Sequence, residues 1–112
     1  MFLVKQGVPS DEDLEWLSQK LKKWKTLGRR LKIKEVGLTM IDDENPEFFK
    51  KIYKMLLHWK EWHGSTATYT ILHDALCHPL VNRTDLAEQL TTGNISLILQ
   101  LNKNTITYKY SA

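Results

Sequence analysis

Residues 55–76 read MLLHWKEWHGSTATYTILHDAL, an apolar helical run, a glycine, a short polar hinge and a second apolar helical run. Upstream of it, Phe49, Ile52, Leu56 and Trp59 recur at helical spacing, so one amphipathic stripe reaches back to Asn45-Pro46-Glu47. Proline suits a first helical position and Glu47 suits the first turn, which makes this the longest helix of the chain. Tyr53 and Met55 flank the stripe, and Trp62 falls off it toward solvent. Gly64 is a natural stop, Ser65 or Thr66 caps the following helix, and Ala67 keeps the junction tight. That helix carries Ile71 with Leu72, then Ala75 and Leu76, and ends at His78-Pro79. The whole stretch reads as scaffold.

The flanks extend the same helical grammar. Ser10 before Asp11, Glu12 and Asp13 is a helix start, because serine caps an open amide and acids suit the positive end of the dipole. Leu14, Leu17 and Leu21 then predict a helix over 11–22. Trp24, Leu27 and Leu31 continue the period through a second helix, in which Gly28 costs about 1 kcal/mol against alanine and permits close approach of a neighbour. A third, short helix over 34–41 turns Val36 or Leu38, and Ile41, inward. Thr84 or Asn82 caps a sixth helix with Leu86, Ala87 and Leu90 inside. The expected class is all-α, with six amphipathic helices in a module over 10–91 and a lead over 1–9. From Gly93 onward, ISLILQL and TITYKY around Asn102-Lys103-Asn104 are β-branched runs that read as a hairpin or as a disordered end.

A chain of 112 residues, 42% hydrophobic and 26% charged, fits one globular domain. No apolar run approaches the roughly 20 residues of a membrane span. The opening MFLVKQGVP lacks the basic and apolar regions of a signal peptide. The lone Cys77 cannot close an internal disulfide, which suits a reducing, cytoplasmic setting. Charge is segregated. Residues 16–34 hold eight basic side chains and no acid, whereas residues 42–47 hold four acids and no base.

His73 and Cys77, four apart on one helix with His78 adjacent, offer two metal ligands or a thiol–imidazole pair. Structural zinc needs four ligands, and His58 and His63 lie on another helix. Phosphate loops, paired-carboxylate sites and nucleotide fingerprints are absent from the sequence. No enzyme, metal, cofactor or small-molecule substrate is therefore expected. Clustered Lys and Arg on a small helical domain also describe some nucleic-acid binders, and that is the alternative reading. The near-neutral balance of residues 1–91, 14 basic against 13 acidic, argues against it.

Trp24 before LGRRLKI, then IDDENP, YKMLLHW, HGSTATYTILHDAL and RTDLAEQL stand in an order and spacing that resemble a death domain, over residues 10–91. The resemblance implies a six-helix antiparallel bundle with Greek-key connectivity. It also implies an adaptor-like module of signal transduction that binds other death domains, itself or a relative, in apoptosis or innate immunity. Nucleic acid and membrane are not expected partners. On this basis the core should hold Leu17, Leu21, Trp24, Leu27, Leu31 and Ile41 from the first half. Phe49, Ile52, Leu56, Trp59, Leu72, Leu76 and Leu86 should complete it. The partner-binding surface should pair a basic patch, Arg29, Arg30, Lys32 and Lys34, with an acidic corner, Asp42, Asp43, Glu44 and Glu47.

Overall fold

Residues 5–91 are described by a computed structural model. They form six helices: α1 (Asp11–Ser18), α2 (Trp24–Arg30), α3 (Glu35–Glu44), α4 (Phe48–His63), α5 (Tyr69–Cys77) and α6 (Thr84–Thr91). The expected tail hairpin lies outside the described residues. Each helix contributes one apolar face to a shared core. The chief contacts run α1 to α4 and α5 to α6, with α4 also covering α2 and α3 and with α6 returning against α1. Helices distant in sequence are thus spatial neighbours, as the Greek-key bundle requires. Leu17, Leu27, Leu31, Ile52, Leu56, Leu72 and Leu76 are sealed from solvent, and Leu21, Trp24 and Leu86 nearly so. Leu14, Leu38 and Met55 join them at full burial.

The helix starts follow the sequence where a side chain can cap. Ser10 Oγ accepts the Asp13 amide at 3.1 Å, below three first-turn acids. Thr68, and neither Ser65 nor Thr66, caps α5, its Oγ1 accepting the Ile71 amide at 3.2 Å. The reason is that Gly64–Thr66 forms a 3-10 turn, in which Thr66 donates to the His63 carbonyl and Ala67 is buried outside either helix. Pro46 precedes α4 by two residues, and Glu47 stands at the cap in extended backbone. Asn82 takes a left-handed φ of 54° in the turn before α6, and Thr84 is the first residue of that helix.

The helix ends depart further from expectation. α1 stops at Ser18 rather than Lys22, where the Ser18 hydroxyl donates to the Glu15 carbonyl at 2.6 Å. α2 ends after seven residues. There Lys32 takes φ 71°, the Ile33 amide reaches back to the Gly28 carbonyl and the Lys32 amide to that of Arg29. This is the paired bond pattern of a Schellman stop, with lysine in the left-handed place that glycine favours. α3 runs past Ile41 to Glu44, helped by Asn45 Nδ2 donating to the Ile41 carbonyl at 2.9 Å.

Two expected core residues need correction. Phe49 is 43% exposed, with Phe48 beside it in the open. Both line a shallow hollow with residues 18–22, where α1 has already ended. Ile41 is only partly buried, packed on the edge of the core; Leu38 is the residue of α3 that points in, and Val36 points out. Ile71 likewise faces solvent while Leu72 is buried.

The lead is stitched to the bundle through Tyr69. Its amide donates to the Gly7 carbonyl at 3.0 Å, its hydroxyl donates to Asp13, and the Ser10 amide donates to that hydroxyl. Lys5 closes the cluster at 3.1 Å from Asp13. Burial, and then the Asp13 contact, push the Tyr69 phenol above its usual range.

Gly64 ends α4 at φ 54° and ψ −125°, backbone that side chains rarely adopt, with open space where a Cβ would stand. Gly64→Ala is therefore a purely conformational change, and a loss of about 1–3 kcal/mol is expected in urea denaturation. Arg83 forks onto Asp85 at 3.0 and 2.9 Å and donates to the Lys20 carbonyl, tying α6 to the α1–α2 turn. That hydrogen bonding lowers the Asp85 carboxyl from 3.8 to about 2. With the folded value below the unfolded one, the stabilisation is present above about pH 4 and fades as pH falls through 2. Asp85→Asn should flatten the drop in melting temperature across that window.

Candidate functional surface

The basic and acidic segments meet across the α2–α3 side of the bundle, and part of their charge is spent inside the molecule. Arg29 forks onto Glu35, with Nη2 at 3.2 Å from Oε1 and Nε closer still to Oε2. The pair raises the guanidinium and lowers the Glu35 carboxyl relative to their ordinary values. Asp42 sits between Lys25 at 2.7 Å and Lys51 at 2.6 Å, and hydrogen bonds from these two hold its carboxyl below the usual range. Lys51 also donates to the Asp42 carbonyl, which fastens the last turn of α3 to α4. Glu47 meets Lys50 at 3.2 Å.

Arg30, Lys32 and Lys34 on one side, and Asp43 and Glu44 on the other, enter no ion pair among the described residues. Of these, Lys32, Lys34, Asp43 and Glu44 are exposed, whereas Arg30 is half-buried with its Nε enclosed. Arg29, Asp42 and Glu47 are instead part of local clamps, which sequence spacing hid because Glu35 and Lys51 stood outside both charge runs.

A groove of about 550 Å³ opens between the end of α2, the end of α4 and the outer face of α5. Its floor is Leu31, Trp59, Ile71 and Ala75, and its walls carry Arg30, Lys32, His63 and His78. The sequence does not announce it, since its histidines come from segments far apart in the chain and Ile71 stands beside the buried Leu72. The exposure of Ile71 is the signal that marks it. His73 and Cys77 do share a face, with Sγ 3.9 Å from Nδ1, but both lie outside the groove lining. Among the described residues no three His, Cys, Asp or Glu side chains gather as a metal site. No helix among them is long and apolar enough to cross a membrane.

A family model for the death domain matches residues 11–93, about three quarters of the chain. The chain belongs to the death domain family. No match is found among curated proteins. Death domains are homotypic protein–protein interaction modules of signalling rather than enzymes. In this death domain Trp24 and Trp59 are core, at 5% and 1% exposure, whereas Trp62 at 56% stands out beside His58 and His63.

Proposed function

We propose that this death domain assembles cytoplasmic signalling complexes, as an adaptor in apoptosis or innate immunity, with charge choosing its partners. The observation that carries the reading is the separation of exposed cations at Lys32 and Lys34 from exposed acids at Asp43 and Glu44. A surface of this kind meets its opposite on a neighbour head-to-tail, and such contacts propagate instead of closing. Single exposed ion pairs contribute only about 0–1 kcal/mol, so affinity comes from many copies engaging together. Charge then sets encounter rate and selectivity.

The test is a pull-down and sedimentation comparison of the 112-residue chain against itself and a panel of death domains. Reversal of Lys32 and Lys34 to glutamate should remove most of the capture while leaving helicity and melting temperature near wild type. Added salt should weaken capture, because exposed charges are screened beyond about 8–10 Å at physiological ionic strength. A chain that captures no death domain, itself included, ends the reading. Retardation of DNA or RNA with a steep salt slope in its place would move the function to nucleic-acid binding.

A further inference from the structure

In the groove between α2, α4 and α5, Arg30 and His78 meet with no carboxylate between them. His78 Nδ1 accepts the Leu80 amide at 3.1 Å, which fixes the ring proton on Nε2. That Nε2 lies 3.4 Å from Nη1 of Arg30, a group that can only donate. Two donors thus face each other with no acceptor between them. Arg30 Nε and His63 Nε2 are buried without a hydrogen-bond partner, and both residues line the same groove. The unpaired Arg30 Nε–H, a donor in any state, carries a desolvation cost that an incoming acceptor removes.

Lys32 adds a third sign. It holds left-handed backbone at the groove wall, in a helix-ending position where glycine would be easier. Strain of this kind is retained where the side chain is needed. Asp74 is the acid among the described lining residues. Its carboxylate is 72% exposed and lies 3.5 Å from His73, at the rim. The groove as a whole therefore offers an apolar floor beneath donors that call for a carboxylate.

The outer face of α3 has the complementary chemistry. Val36, Met40, Asp43 and Glu44 fall on one side of the helix by their spacing. Val36 is 65% and Met40 53% exposed, and the two acids beside them are in no ion pair among the described residues. These residues line no part of the groove, so one copy presents both surfaces at once. We propose that the acid-tipped ridge of α3 docks into the α2–α4–α5 groove of a second copy. A ridge carboxylate accepts from Arg30 and His78, and Met40 covers the exposed Ile71. The proposal rests on the homotypic reading above and names its surfaces.

The contact is asymmetric, which makes it testable by complementation with the full 112-residue chain. The ridge variant is Asp43→Lys with Glu44→Lys, a change that suits the negative end of the α3 dipole and so spares the fold. The groove variant is Ile71→Asp with Lys32→Gly, in which the glycine relieves left-handed strain and offsets any loss of stability. Each alone should associate at least about tenfold more weakly than wild type in sedimentation velocity. Mixed one to one, they should form dimers and nothing larger, because one intact ridge meets one intact groove. Lys32→Gly by itself should raise the melting temperature and weaken association together, an outcome that misfolding cannot imitate.

Wild-type association that survives in either variant, or a mixture that stays monomeric, overturns the docking mode while leaving homotypic assembly in place. A wild-type chain that stays monomeric but captures a different death domain does the same. A wild-type chain that captures neither removes both readings.

Discussion

Trp59→Ala is expected to cost about 3–5 kcal/mol, a large part of the roughly 5–15 kcal/mol that holds a small domain together. Trp59 is 1% exposed, sits on the buried stripe of α4 with Ile52, Met55 and Leu56, and also floors the α2–α4–α5 groove. Truncation opens a void beneath the end of α2 that packed neighbours fill only in part. Urea denaturation should show a markedly lower midpoint or an unfolded variant. The control is Trp62→Ala, on the same helix but 56% exposed, which should change the midpoint little. Equal effects at the two positions would mean that helix burial, not helix composition, had been misassigned.

The second large effect belongs to Gly28. A Cβ there would stand 2.6 Å from Leu38 Cδ2 and 3.5 Å from Met55 Cγ, so α3 and α4 close directly over the α2 backbone. Gly28→Val gains a few tenths of a kcal/mol in helix propensity. Overpacking a filled core costs about 1–3 kcal/mol, so the steric term wins. Leu38 is itself sealed from solvent, so its methyl can give way only against packed neighbours. Leu38→Ala alone should also be costly, by about 2–5 kcal/mol. In combination the two should cost less than their sum, because the shortened side chain vacates the room that valine needs. Strict additivity in denaturant melts would show that Gly28 and Leu38 do not compete for the same space.

Periodicity made the helices legible because each buries one face, and burial is what selects Leu17, Leu27, Ile52, Leu56 and Leu72. Caps were legible where a hydroxyl or acid stands at the start, as at Ser10. Helix ends were less so. The stop of α2 depends on Lys32 entering left-handed backbone, a conformation that its residue type does not announce. The early stop of α1 at Ser18 and the exposure of Phe49 in the first turn of α4 both fall at helix termini, where periodicity says least.

The surface was harder still. Charge runs along a sequence record net sign, whereas a working face depends on which charges remain after tertiary pairing. Arg29 and Asp42 looked equivalent to Arg30 and Asp43, yet Glu35, Lys25 and Lys51 claim the first two. The groove was invisible for a related reason. It is made of side chains drawn from three helices, and only their convergence leaves Arg30 Nε and His63 Nε2 buried without partners.

The pairing of α1 with α4, and of α6 with α1, has a consequence for synthesis. The helix that will cover Leu14 and Leu17 begins at Phe48, 30 residues after α1 ends at Ser18, so α1 is synthesised before its cover. No native partner shields those leucines in the interval, and the Arg83 clamp on the Lys20 carbonyl arrives only with the start of α6. The native contacts of the first helix therefore close only after most of the bundle has been made.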